Sequence, residues 1–144
     1  MTPPWMEIAE RELARGVHEI PGPEANPRIV QYHAATSFEA TSDEVPWCSS
    51  FVNYCLQHAG YEGTRSAAAR SWLTWGEPID DPRYGAIVVL ARGKNPAQGH
   101  VAFLTAHREE DGNLLLLGGN QGNAVSIAAF GTERVLSYRW PKGA

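Results

Sequence analysis

Apolar residues change their spacing half-way along the chain. Trp5, Ile8, Ala9 and Leu13 recur at helical spacing between Pro3-Pro4 and Gly16, which predicts a first amphipathic helix. The stretch from Glu19 to Pro27 holds three prolines and a glycine, so it reads as a loop, and a short helix follows from Pro27 to His33. From Ala35 to Val45 the chain is polar and irregular. Pro46 then stands in the first turn of a helix running from Trp47 to Ala59, with Phe51, Val52, Cys55 and Leu56 on one side and Gly60 as its stop. Ser66 to Trp75 predicts another helix, with Ala68, Trp72 and Trp75 aligned, ended by Gly76 and Pro78.

Beyond the Asp80-Asp81-Pro82 turn the pattern becomes that of strands: Ala86 to Ala91, His100 to Ala106, Asn113 to Gly119, Ala124 to Phe130 and Arg134 to Trp140. Asp111-Gly112 is a strong hairpin signal, and Asn120 to Asn123 marks a second turn. Helices followed by an antiparallel meander predict an α+β domain with the helices on the inner face of the sheet. No internal repeat or composition break divides residues 1–144, so the chain is read as a single domain.

Composition narrows the partners. With 43% hydrophobic residues and five tryptophans, the chain has the values of a folded protein. Its net charge of −4 arises from interspersed acids and bases, and no Lys/Arg run offers a track for a phosphate backbone, so nucleic acid is not expected as a partner. No window approaches the ~20 apolar residues of a membrane span, and Met1 to Gly16 lacks a basic start followed by an apolar stretch. Neither membrane insertion nor a Sec-type export signal is expected.

The two cysteines, Cys48 and Cys55, are seven positions apart in one helical segment. At ~1.5 Å rise per residue their Cα atoms lie ~10 Å apart, beyond the ~7 Å limit of a disulfide, so both are expected as free thiols. With no CxxC, neither a structural zinc site nor any cofactor is expected. Cys48, in PWCSSFVNYC, falls in the first turn of the helix, where unpaired amides stabilise a thiolate and draw its pKa down from about 8.5. That is a place for a nucleophile, and equally for a small buried hydrophobe. Cys55, amid Phe51, Val52 and Leu56, reads as core.

A nucleophilic thiol needs a base. His18, His33 and His58 read as surface or capping residues, and His107 abuts the charged hairpin tip. His100 opens a strand in QGHVAFL, where rigid backbone holds an imidazole at a fixed distance from a nucleophile. The imidazole in turn needs a polar partner to orient it. Folding the strand back through the Glu109 to Gly112 turn brings it opposite Asn120, Gln121 or Asn123, and the pattern leaves the three open. Gly118 and Gly119 just before them suit a crowded site.

These residues carry a resemblance. PWCSSFVNYCL, then QGHVAFL, then LLLLGGNQGN are similar to the CHAP family, the cysteine- and histidine-dependent amidohydrolases and peptidases, and to the related NlpC-like wall peptidases. The resemblance runs from the EIPG loop at Glu19 to Arg139 to Pro141. It implies a papain-like fold and hydrolysis of an amide bond in peptidoglycan, an amidase or endopeptidase reaction. Cys48 would be nucleophile, His100 base and Asn120 the orienting residue. Trp47 and Gln121 are the candidates for contact with the stem peptide, with Trp72 or Trp75 by helix position, while the apolar spacing of the tryptophans favours the core for them. One departure is that Gly85 is followed by Ala86 where such families often have aspartate. Alternatives keep the chemistry on another amide, as protease or acyltransferase, or keep the fold without catalysis as a wall-binding domain. A wall substrate together with the missing export signal implies synthesis in the cytoplasm and action in the periplasm or at the wall. Delivery would then fall to a phage or secretion system, with an immunity or delivery protein as a further partner, unless the chain is one module of a longer exported protein.

Overall fold

A computed structural model of the chain describes residues 2–20, 26–36, 47–96 and 98–144. The expected loop from Glu19 to Pro27, the irregular stretch up to Val45, and Pro46 fall wholly or partly outside them. Helix α1 spans Pro4–Ala14 and starts on proline, whose missing N–H costs nothing in a first turn. It buries Trp5, Met6 and Ala9, and the Trp5 indole donates to the carbonyl of Gly85 at 2.8 Å. Helix α2, Pro27–His33, is capped by Asn26, whose side chain accepts from the Arg28 amide. Helix α3, Cys48–His58, is buried at every position from Cys48 to Leu56. No helix among the described residues is long and apolar enough to cross a membrane.

The predicted helix from Ser66 to Trp75 is a shorter 3-10 segment, Ala69–Thr74. Only Ala69 and Trp72 of it are buried, and Ser71 bonds locally to Ala68 and Thr64, which favours a tight turn over a propagated helix.

The strands are β1 (Glu77–Pro78), β2 (Ile87–Ala91), β3 (Gly99–His107), β4 (Leu114–Gly118), β5 (Ser126–Phe130) and β6 (Val135–Trp140). They form one antiparallel sheet in the order β1-β6-β2-β3-β4-β5, so the architecture is α+β. Only β2 to β5 make the expected meander. β6 returns across the sheet to pair with the far edge of β2, because β2 is buried from Ile87 to Leu90 and needs a partner on each side.

The helices gather on one face. α3 packs on β3 and β4, with Phe51 edge-on to Phe103 at 6.3 Å between ring centroids. Tyr32 of α2 stacks on Trp47 and meets Phe51 edge-on, while His33 Nδ1 and Ser50 Oγ lie 2.8 Å apart. α1 and α2 are joined by a buried carboxylate. Glu12 is 1% exposed and accepts from Arg28 Nε at 2.6 Å, Arg28 Nη2 at 2.8 Å and the Tyr32 hydroxyl at 2.8 Å. Past α1 the chain pairs with the turn after β4: Glu19 N–H donates to Asn123, and Val125 N–H to Val17.

Candidate active site

The start of α3 is left without a side-chain cap, since Trp47 at that position supplies no acceptor. The Cys48 sulfur therefore sits among amides: its own, that of Ser49, and that of Val101 on β3. Two polar side chains on the same helix lay a loop across this end. Ser49 Oγ donates to the Ser66 carbonyl at 2.6 Å and accepts from the Trp72 indole at 2.9 Å. Asn53 donates to Ser66 and Thr64 and accepts from the Arg65 amide at 2.9 Å, holding Arg65 in left-handed backbone at φ +57°. The loop presents Ala67, Ala68 and Ala69 as one wall of a cavity of about 310 Å³ that also includes Cys48, Arg92 and Gly99.

His100 is the second residue of β3 and is 4% exposed. Gly99 before it has no room for a side chain, because a Cβ would lie 2.9 Å from the Leu90 carbonyl oxygen. His100 Nε2 lies 2.9 Å from Gln121 Oε1. The Gln121 amide is fixed end for end, since its Nε2 donates to the carbonyls of Leu116 at 3.0 Å and Ser126 at 2.8 Å. Oε1 therefore faces the imidazole as an acceptor, which places the ring proton on Nε2 and leaves Nδ1 with the lone pair. Phe130 stacks on the ring at 5.3 Å between centroids. Gly118 makes space for the arrangement, for a Cβ there would come within 2.7 Å of Gln121 Oε1. Gly119 lets β4 end against α3, where a Cβ would meet the Trp47 ring at 2.6 Å.

Burial pushes the Cys48 thiol above its ordinary value, while the amides of Val101 and Ser49 and the charge of Arg92 pull against it. Burial likewise draws the His100 imidazole down. The Gln121 hydrogen bond opposes that shift, and the charges of Arg92 and Arg134 reinforce it. Both shifts favour the uncharged form of the group, thiol and imidazole.

A family model described as CHAP domain matches residues 40–120, which is more than half of the chain. The chain belongs to the CHAP family. That is a family of peptidoglycan amidases and peptidases. No curated protein matches the chain.

The structure brings the CHAP cysteine and histidine motifs together, since the amide following His100 reaches the Cys48 sulfur. It does not give the orienting position to Asn120, which the resemblance implied. β4 stops at Gly118, and Asn120 turns the chain in left-handed backbone at φ +58°, so it is Gln121 that points back at the imidazole. Gln121 is correspondingly not free for substrate, with both ends of its amide engaged within the protein. Trp47 is not a groove residue either. It is fully buried, with its ring on Tyr32 and Gly119. Trp72 is also buried, and Trp75 donates to the Glu62 carbonyl. His33, read as a surface or capping residue, is buried against Ser50. The thiol, expected to be lowered by the helix end, is instead raised by burial. Sequence reasoning missed Arg92, Phe130 and Arg134, which share a second cavity of about 320 Å³ with His100 and Asn120. Gln121, Phe130 and Arg134 lie beyond the matched residues. At Ala86, where aspartate is common in the resemblance, the residue is fully buried immediately before β2, a position where a carboxylate would lose its water.

Proposed function

We propose that this CHAP domain hydrolyses an amide bond in the peptide of peptidoglycan, with Cys48 as nucleophile and His100 as base. The observation that carries this is the fixed Gln121 amide. It holds the His100 proton on Nε2 and so keeps a basic Nδ1 for the thiol, at the uncapped end of the helix that bears Cys48.

In this reading Nδ1 of His100 takes the Cys48 proton as the sulfur attacks the amide carbon. The carbonyl becomes an oxyanion beside the first amides of α3, where partial positive charge is already in place. The imidazolium, stabilised by Gln121, protonates the departing amine and leaves a thioester on Cys48. Water, deprotonated by the same Nδ1, then releases the acid and restores the thiol.

Digestion of purified peptidoglycan, followed by mass spectrometry of the muropeptides, tests the proposal and identifies the bond. Wild-type protein should release new amine and carboxyl ends, and folded Cys48→Ala should release none. Equal release by both proteins would sink the cysteine mechanism. A wall substrate also implies that periplasmic targeting of the chain lyses a Gram-negative host whereas cytoplasmic expression is tolerated. The opposite pattern would point to an intracellular amide.

A further inference from the structure

We propose that the cleft selects an amide whose amine half carries a free carboxylate near the scissile nitrogen, bound by Arg92 and Arg134. This rests on the hydrolytic reading above and names the class of substrate within it.

The cavity beside His100 is lined by Arg92, Arg134, Phe130 and Asn120 among others and, among the described residues, by no acidic side chain. The cavity at Cys48 shares Arg92 and likewise has no acid among the described residues. That is notable in a chain with 16 acidic and 12 basic residues. Elsewhere several arginines are neutralised: Arg15 and Arg28 by Glu12, Arg65 by Glu62, and Arg108 by Asp111. Neither Arg92 nor Arg134 has an acidic partner among the described residues. Arg134 is nevertheless held in place, with Nε donating to the Ala91 carbonyl at 3.2 Å and the guanidinium 5.3 Å over the Phe130 ring. Its two terminal nitrogens are left for a ligand. A guanidinium so fixed presents the planar fork that fits a carboxylate.

The chemistry assigns the sides. The leaving nitrogen must take its proton from the imidazole, so the amine half of the substrate lies toward His100 and hence toward the two arginines. The acyl half lies along Cys48 and the small wall of Ala67 to Ala69, away from Arg134, with Arg92 between the two halves as the one charged residue common to both cavities. A peptide that runs on through its α-carbonyl offers no anion there. An amino acid linked through its amine with its own carboxyl free does.

Two measurements test this. The first compares kcat/KM for muropeptides bearing a free carboxylate on the amine-side residue with the same muropeptides amidated at that carboxylate. At low ionic strength the wild type should favour the carboxylate about tenfold or more. Arg92→Gln with Arg134→Gln should bring the ratio near one; because the two substrates are compared within each protein, a general change in rate cancels from it. Equal rates for the two substrates in the wild type would overturn the proposal and leave the hydrolytic reading standing. The second measurement compares alkylation of Cys48 by iodoacetate and by iodoacetamide, read at Cys48 by mass spectrometry, and needs no wall substrate. The iodoacetate-to-iodoacetamide rate ratio should fall severalfold in the double variant, and more at low than at high salt. Should no wall peptide be cleaved at all, the hydrolytic reading fails and this ratio alone decides: a fall retains the anion-selecting cleft, and an unchanged ratio removes it.

Discussion

His100 Nε2 and Gln121 Oε1 are 2.9 Å apart, and two backbone carbonyls forbid the Gln121 amide from turning over. Gln121→Ala should therefore lower kcat on peptidoglycan by about 100-fold, since the imidazole loses both its tautomer and its orientation. Asn120→Ala should stay within about threefold, its main burden being a left-handed backbone that alanine adopts less readily. The reverse ranking, in variants with wild-type melting temperatures, would return the orienting role to Asn120.

The adjacent glycines separate catalysis from packing. Gly118→Ala pushes on Gln121 Oε1 and on the Ala102 side chain, and should cost activity out of proportion to stability. Gly119→Ala drives a methyl into Trp47 and Phe51, and should lower stability by about 1–3 kcal/mol, as overpacking does. Urea unfolding together with kcat for both variants checks the contrast.

Because burial raises the Cys48 thiol and lowers the His100 imidazole, no thiolate should be visible near neutral pH. Thiolate absorbance at 240 nm should appear only above the ordinary thiol value of about 8.5. Protonation of His100 should abolish activity only below the ordinary imidazole value of about 6.5, because the folded protein binds that proton less readily. A thiolate band at pH 7 that vanishes in Cys48→Ala would instead show an ion pair at rest.

Glu12 joins α1 to α2. Burial acts to raise its carboxyl, but the hydrogen bonds from Arg28 and Tyr32 and the charges of Arg28 and Arg15 outweigh it, so the folded pKa is lowered. A lowered carboxylate pKa contributes stability that is present above the unfolded value of about 4.3 and is lost as pH falls through the folded one. Glu12→Gln should cost about 2–4 kcal/mol at pH 7 and much less once the wild-type carboxylate is itself protonated. Denaturant unfolding of both proteins from pH 7 down to pH 3 tests this, and a gap independent of pH would contradict it.

Much of the scaffold was legible because it is written locally. Proline starts, glycine stops and apolar spacing place α1, α2 and α3 within a residue or two, and the alternation from Ala86 onward finds the five longer strands. The return of β6 to β2 was not legible, since a strand's own pattern does not name its partner. Cys48 and His100 could be read from a helix start and a strand start. The partner of His100 was left open among Asn120, Gln121 and Asn123, and the resemblance pointed to Asn120, one residue from the Gln121 that meets the imidazole. The register of β3 on β4 points near Asn120, but the strand ends at Gly118 and the turn carries the side chains round by one. The two glycines whose absent side chains clear room for Gln121 and Trp47 were the available clue. Arg92 and Arg134 are isolated cations at strand boundaries, and only tertiary folding brings them to one cavity.

The pairing of the segment after α1 with the turn beyond β4 joins positions near the two ends of the chain. It closes directly beside Gln121, whose backbone N–H donates to the Ala124 carbonyl within that turn. Contacts of such separation form late, after the loop between them has been drawn in. On a ribosome the helix bearing Cys48 emerges long before the residues that orient His100 and flank it. The setting of the imidazole is thereby tied to synthesis through the turn after β4: a product that stops before Gln121 holds a thiol and an imidazole but not the side-chain amide that orients the ring.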